Sequence, residues 1–347
     1  MPTKPVRFAA VGLNHNHVYM QVAALIRGGA ELAAFYAPED DLAAKFQEKY
    51  PNVQRARVLT EILEDPKIHI ITSASIPNER APLGIKAMRH GKDFLVDKAG
   101  FTSLEQLAEA RAVQRETGRF YTVFYAERLD DPVTVKAGEL VAAGAIGRVI
   151  QTVGLGPHQL NLSPRPDWFF QPERNGGIIS DVGTHQCDQF LYFTGSSSAE
   201  VISAQIANIA HPDKPNFQDF GDVVLRGDAG TGYFRVDWFT PDGLGTWGDG
   251  RLVILGTEGY IELRKYCDIG GRSGEQHLFL VDQKRTTYID CKEVYLPFGR
   301  QYVEDVLNRT EHAMSQRHSF LASELALTAQ AKAVRLNLAK GGRSAQA

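Results

Sequence analysis

Over the first third of the chain, short apolar runs alternate with helical segments, and this constrains the fold more than any other feature. Val6 to Val11 reads as a strand, Val18 to Arg27 follows with helical spacing, and Gly28-Gly29 stops it. Glu31 to Tyr36 is the next strand. Asp40 to Tyr50 is amphipathic, with Leu42, Phe46 and Tyr50 on one face and Pro51 after it. Ile68 to Ala74, Phe94 to Val96 and Phe120 to Tyr125 are further strands. Arg80 to His90 and the segment up to Thr117, behind a Thr102-Ser103-Leu104-Glu105 capping box, are the helices between them. Strands joined through helices run parallel, so residues 1–126 are expected to form a Rossmann-type doubly wound sheet.

The pattern changes after Ala126. Pro132 to Ala143 reads as a helix, and then strands follow one another across short turns. They are Val149–Leu155, Val201–Ile209, Asp222–Leu225, Gly232–Phe239, Leu252–Leu255, Tyr260–Arg264, Leu278–Val281 and Thr287–Asp290. A helix at Ile178–Phe193 interrupts them, and Gln301–Arg309 and Phe320–Lys340 close the chain. Residues 127–340 are thus expected to be an α+β domain with a large, mostly antiparallel open sheet, and Gly341–Ala347 to fray. A length of 347 residues suits two domains. The formal net charge of −3 gives no electrostatic reason to bind nucleic acid or anionic lipid. Three cysteines, none in a CxxC pair, fit a reducing compartment. The opening apolar stretch, Phe8 to Val11, is too short for a signal-peptide core, and no apolar run is long enough to span a membrane. The expected location is the cytoplasm.

The first strand leads into Gly12-Leu13-Asn14-His15-Asn16-His17, where a dinucleotide-binding G-x-G-x-x-G belongs. Only the first glycine is present. Asn14, at the second, tolerates a left-handed backbone better than most residues, and His17 stands at the third. The N-terminus of the following helix can still bind an anion through its free N–H groups. The competing reading is an ordinary strand–helix turn carrying surface imidazoles. No acid or thiol nearby in sequence completes a metal set with His15 and His17, so no metal is expected. The ribose acid belongs at Ala37, and Glu39 or Asp40 could substitute for it if the loop curls back. Two carboxylates without a neighbouring cation favour NAD over NADP.

Lys98 follows the fifth strand at the carboxyl edge of the sheet, where it could stabilise alkoxide charge or merely be a surface lysine. Asp181 and His185, in Gly176-Gly177-Ile178-Ile179-Ser180-Asp181-Val182-Gly183-Thr184-His185, share a face if that segment is α-helical. Three readings stay open on spacing alone. They are a histidine base oriented by Asp181, a metal site of Asp181, His185, Asp188 and His158, and a structural hydrogen bond.

Taken together, these motifs resemble the Gfo/Idh/MocA oxidoreductases, the glucose–fructose oxidoreductase and inositol dehydrogenase family, over Val6 to about Leu338. Asp97-Lys98-Ala99 looks like that family's Glu-Lys-Pro motif. Asp181-x-Gly183-x-His185 looks like its Asp-x-Gly-x-His motif, and Leu255 to Leu263 like its late Gly-x-x-Gly strand pair. The resemblance implies hydride transfer between NAD(P) and a secondary alcohol of a sugar or cyclitol, with Lys98, Asp181 and His185 catalytic. It places the cofactor against Gly12, Asn14, His15, Asn16, His17, Ala37, Ala74 and Lys98. Tyr125, His158, Asn161, Arg165 and Trp168 are candidate substrate contacts, since amide and guanidinium donors bind hydroxyls and indole faces pack on sugar rings. Two other functions fit the same motifs. One is a non-catalytic nucleotide-binding sensor; the other is a redox-neutral epimerase or glycosidase that keeps its NAD. The open second-domain sheet implies a homo-oligomer.

Overall fold

The computed structural model describes residues 5–161 and 165–337. The first unit runs β1 (Arg7–Val11), α1 (Val18–Arg27), β2 (Glu31–Tyr36), α2 (Asp40–Lys49), β3 (Gln54–Arg55), α3 (Leu59–Leu63), β4 (Ile70–Ser73), α4 (Pro77–Arg89), β5 (Asp93–Asp97), α5 (Leu104–Thr117) and β6 (Tyr121–Phe124). All strands pair in parallel in the order β3-β2-β1-β4-β5-β6. The order reverses between β1 and β4, and ligands of doubly wound sheets bind at that crevice. Buried on both faces, the central strands are almost wholly apolar: Phe8, Ala9, Ala10, Ile70, Ile71, Phe94, Leu95 and Val96 are sealed from solvent.

The second unit begins with α6 (Ala126–Leu129), α7 (Pro132–Ala142), β7 (Val149–Pro157), α8 (Pro172–Asn175) and α9 (Thr184–Thr194). It continues with β8 (Ala199–Ala207), β9 (Phe220–Gly227), β10 (Thr231–Asp237), β11 (Arg251–Gly256), β12 (Gly259–Arg264), β13 (His277–Asp282) and β14 (Thr286–Asp290). The last elements are α10 (Phe298–Asn308), α11 (Gln316–Lys332) and β15 (Val334–Arg335). Nine strands form one sheet, β14-β13-β12-β11-β7-β10-β9-β8-β15, antiparallel except at β7–β10 and β8–β15. Helix α9 packs on one face. The register puts Val224, Tyr233, Val153, Val253, Glu262, Phe279 and Tyr288 in one row across the opposite face. No residue in that row is buried.

The structure departs from the expected elements in four places. Strand β3, helix α3 and strand β15 lie in segments with no strong periodicity. The expected Ile178–Phe193 helix opens with a π-helical turn, Ile179–Gly183, before α9 begins. The last long helix starts at Gln316, capped by Ser315, and ends at Lys332; the expected continuation to Lys340 and the tail beyond lie partly outside the described residues. The capping box of α5 sits one residue later than expected. Ser103 accepts from Gln106 N–H, and the Gln106 side chain accepts from Thr102 N–H.

The end of the chain returns to the first sheet. Helix α11 lies against α5 and β6 as well as α9, and α10 crosses α1. That crossing is made by two glycines. A Cβ on Gly299 would strike the Ala24 carbonyl, and one on Gly28 would strike the Gly299 carbonyl. Asp188, on α9, closes a second link: Arg128 grips both its oxygens at 2.7 and 2.8 Å, and His318 of α11 binds at 2.8 Å. Replacing Gly299 by Ala forces backbone apart rather than a movable side chain. Urea unfolding should show a loss of about 2 kcal/mol or more; unchanged stability would mean the helices are free to separate.

Candidate active site

Gly12 ends β1 in a left-handed conformation (φ +73°), and its N–H donates to Tyr36 O at 3.0 Å. A Cβ there would lie 2.5 Å from Ser75 Cβ, so this position needs glycine. Ala74 N–H donates to Gly12 O, and Ala74 O accepts from His15 N–H, which fixes the loop to the end of β4. His17 occupies the N-cap of α1 without capping it. Asn14 is not left-handed, contrary to expectation. Its role is carried by its side chain, which donates to Glu39 Oε1 at 2.9 Å. The loop after β2 therefore does curl back toward the first turn. Glu39 Oε2 is buried with no hydrogen-bond partner, an acceptor waiting for a donor. Ala37 is buried, and its carbonyl accepts from Arg55, which also pairs with Asp40 at 2.8 Å. A cation thus reaches this corner from β3, although none is present in the Phe35–Asp40 stretch. Asn16 lies at the loop's outer side, 3.5 Å from Lys45 Nζ.

Asp97 and Lys98, adjacent at the end of β5, point apart as an extended backbone requires. Asp97 is wholly buried. It holds His17 Nδ1 at 2.9 Å, lies 3.6 Å from His15 Nδ1, and has Arg80 Nη2 3.1 Å from Oδ2. Against the upward push of burial, His17 and Arg80 keep its carboxyl far below the usual range. The expectation that no acid lies near His15 and His17 is therefore corrected: Asp97 is distant in sequence and adjacent in space.

Lys98 turns the other way and bonds Asp181 Oδ1 at 2.7 Å, with side chains 6% and 16% exposed. This corrects the expected Asp181–His185 pair. The π-helical turn bonds i to i+5 and carries more than 3.6 residues per turn, so the i, i+4 argument fails across it. Against burial, Lys98 holds the Asp181 carboxyl below its ordinary value. His185 is buried, and its Nδ1 has no partner. Burial, assisted by the positive Lys98 and Lys265 and opposed by Glu127, brings its pKa down to about 4.

His158 ends up in the same chamber. Its Nδ1 lies 3.1 Å from Gly156 O, which makes Nδ1 the donor and leaves Nε2 as a lone-pair acceptor. Trp238 and Trp247 flank its ring at 5.3 and 4.6 Å. Burial and Lys98, opposed by Glu127, bring His158 also to about 4. The Trp247 loop folds onto this wall, with Gln159 N–H donating to Trp247 O at 2.6 Å. Arg165 lies over Phe169 and Trp238, 4.4 and 5.0 Å from the ring centroids, and donates to Leu160 O. Trp168 is half-buried beside Phe169. Asn161 is exposed and left-handed (φ 48°), and residues 162–164 of this loop lie outside the described residues.

Two expected participants are engaged elsewhere. Tyr125 is fully buried, and its hydroxyl bonds Ser319 O and Ser323 Oγ of α11, so it offers a ring edge to His185 and no hydroxyl to substrate. Asp188 is saturated by Arg128 and His318, which removes it from the four-residue metal set considered above. The residue that sequence reading missed is Lys265. It is 1% exposed and bonds Glu127 Oε2 at 2.9 Å, Glu127 O at 3.0 Å and Gln189 Oε1 at 3.1 Å. Only a lysine following the alternation of β12 hinted at it.

Comparison with known proteins gives two family matches. Residues 6–125 match the oxidoreductase family with an NAD-binding Rossmann fold, and residues 134–262 match the GFO/IDH/MocA C-terminal domain. A protein of Erwinia carotovora atroseptica SCRI1043, classed only provisionally as an oxidoreductase, superposes with a TM-score of 0.92 at 47% identity, covering 95% of this chain and 99% of that one. The scyllo-inositol 2-dehydrogenase (NAD(+)) of Bacillus subtilis strain 168 is 28% identical over 249 residues, 70% of this chain and 66% of its own length. The D-xylose dehydrogenase of Paenarthrobacter nicotinovorans is 28% identical over 143 residues, 40% of this chain and 37% of its own. The matches thus span less than two thirds of these curated relatives.

Both site histidines are neutral when folded and ordinary when unfolded, so the unfolded chain takes up protons first as pH falls. Their stability contribution is complete above about 6.5 and is lost between about 6.5 and 4, at about 1.4 kcal/mol per pH unit for each histidine. Urea unfolding at pH 7 and pH 5 should show the drop. His158→Gln should remove about one proton from the slope; an unchanged slope would show that His158 is not buried neutral.

Proposed function

Since the chain belongs to the GFO/IDH/MocA oxidoreductase family, we propose that it is an NAD(P)-dependent dehydrogenase of secondary alcohols on sugars, cyclitols or related polyols. The observation that carries this reading is the 2.7 Å Lys98–Asp181 pair at the carboxyl edge of a parallel sheet, close enough to the buried His185 and the half-buried His158 for the Lys98 charge to act on both. The residues fit a dinucleotide. Gly12 makes the tight left-handed turn, α1 presents its N-terminus, and the orphaned Glu39 Oε2 suits a ribose hydroxyl. Glu39 favours NAD over NADP, because its charge would repel a 2′-phosphate. The cofactor supplies the hydride acceptor.

The chain's own groups handle the proton and the charge. Lys98 donates toward the substrate oxygen and stabilises alkoxide character as it develops. Asp181 aims the ammonium through its 2.7 Å bond. His185 accepts the hydroxyl proton, since a histidine with a pKa near 4 is unprotonated throughout the neutral range. The Trp238–His158–Trp247 wall and Arg165 support a polyol site, with indole faces for ring carbons and donors for hydroxyls. The relatives that act on scyllo-inositol and xylose support this substrate class.

The apolar row on the open face of the second sheet supports a homo-oligomer, and three free cysteines support a reducing, cytoplasmic location. Among the described residues no helix is long and apolar enough to cross a membrane.

NAD and NADP titrations, followed by a panel of inositols, xylose and hexoses, test the reading. NADH should form with at least one of them. Lys98→Ala and His185→Ala should each lower kcat by roughly 100-fold or more with little change in Tm; near-normal turnover in both would end this assignment. Cofactor binding without turnover on any substrate would favour the sensor, and retained NAD with product but no net NADH the redox-neutral enzyme. The acid limb of kcat/KM should fall near pH 4 to 5, and a limb at about 6.5 would remove His185 as the base.

A further inference from the structure

The two histidines that stand in the degraded glycine loop have no explanation in the chemistry above. His15 and His17 lie edge to face with ring centroids 4.0 Å apart, and both reach the same carboxylate. One ligand atom from each of His15, His17 and Asp97 can be chosen so that all three lie within 4.8 Å of one another. We propose that these residues form a divalent-metal site of zinc type, set beside the pyrophosphate position of the cofactor. This rests on the dinucleotide-binding reading for its purpose, not for its ligands.

The donor set is two imidazoles and one carboxylate, which is a zinc complement with a fourth position left open. Tetrahedral zinc with ligand bonds of about 2.0–2.2 Å spaces its ligand atoms about 3.3–3.5 Å apart. The nearest contacts run to different carboxylate oxygens, 2.9 Å from His17 Nδ1 to Asp97 Oδ1 and 3.6 Å from His15 Nδ1 to Asp97 Oδ2, so an ion would replace the His17–Asp97 hydrogen bond and draw both imidazoles to one carboxylate. A second observation points to a ligand. Asp97 is sealed from solvent, and its Oδ2, ion-paired with Arg80 Nη2 at 3.1 Å, has no aligned hydrogen bond of its own. Arg80 is also fixed by the carbonyls of Ser75, Lys98 and Ala99. It therefore orients the carboxylate from behind, as groups outside a metal's ligand set commonly do.

The location decides what the open position takes. A cation beside the N-terminus of α1 is disfavoured by the helix dipole, and the charge of Asp97 is already offset by Arg80. An anion completes the balance. The cofactor's pyrophosphate, which a second glycine would ordinarily let approach the backbone, is the anion this loop is placed to meet. A metal held by two histidines could thus replace the contact that Asn14 and His17 have removed. The His15 and His17 side chains are 25% and 28% exposed, so an ion can enter from solvent.

The test uses full-length protein dialysed against EDTA and titrated calorimetrically with Zn²⁺ in the presence of a competing chelator. One Zn²⁺ should bind per chain. His15→Ala and His17→Ala, both partly exposed and compatible with folding, should each weaken binding about 100-fold. NAD titrations with and without Zn²⁺ should show about tenfold tighter binding with the metal, and no such gain in His17→Ala. Failure to take up stoichiometric Zn²⁺, or uptake unchanged in both variants, would overturn the site. If NAD binds and turns over in that case, the metal proposal alone has failed. Zn²⁺ uptake that depends on both histidines in a protein that binds neither NAD nor NADP would support the metal site and defeat the oxidoreductase reading instead.

Discussion

The arrangement of the site depends on one buried ion pair, Arg80 with Asp97. Neither side chain is more than 1% exposed, so each charge would be costly without the other. Arg80 comes from α4 and Asp97 from the end of β5, and the guanidinium spends its remaining donors on carbonyls of Ser75, Lys98 and Ala99. It thereby shapes the backbone where β4 and β5 end, beside the switch point. Asp97, so held, fixes His17 at the start of α1, while Lys98 is directed into the opposite chamber. The first-turn loop and Lys98 are two ends of the same brace.

Most of the architecture was legible in the sequence, because apolar period and turn residues are local signals. The parallel six-strand sheet follows from strands alternating with helices, and the large second sheet from strands without them. The elements that escaped have weak local signals. β3 and β15 are two residues each and exist through pairing with β2 and β8, and the π-helical turn differs from an α-helix by one residue of winding. The site divides in the same way. Lys98, Asp181 and His185 stand in compact motifs and meet in one chamber. The partnership of Asp181 was misassigned, since helical spacing was applied where the helix is wound differently. Tyr125 stood beside the cleft in sequence, but its hydroxyl faces α11, which arrives some 190 residues later. Arg80, Asp97 and Lys265 act through partners far along the chain, and no local pattern encodes such pairs.

The charges around the chamber are almost fully matched. Lys98 meets Asp181, Lys265 meets Glu127, Arg80 meets Asp97, and Arg128 meets Asp188. Matched pairs give each cation a counter-charge at a site where burial lowers the pKa of both histidines. That combination, a fixed cation beside an unprotonated imidazole, is difficult to hold in water, where both would be solvated and mobile. Burial is therefore a working part of the site as well as a source of stability.

The glycine crossing of α1 and α10 has a mechanical consequence. Where two backbones touch directly, there is no layer of side chains to slide or repack, so the helices cannot shear past each other there. The same α1 begins at the Gly12–His17 loop, and α11 grips the other flank of the first sheet. The two halves are thus clamped on both sides of the crevice rather than hinged at a single linker. Any opening of the crevice must then come from local movement of loops, because a rotation of the halves about one linker would have to break a backbone-to-backbone contact.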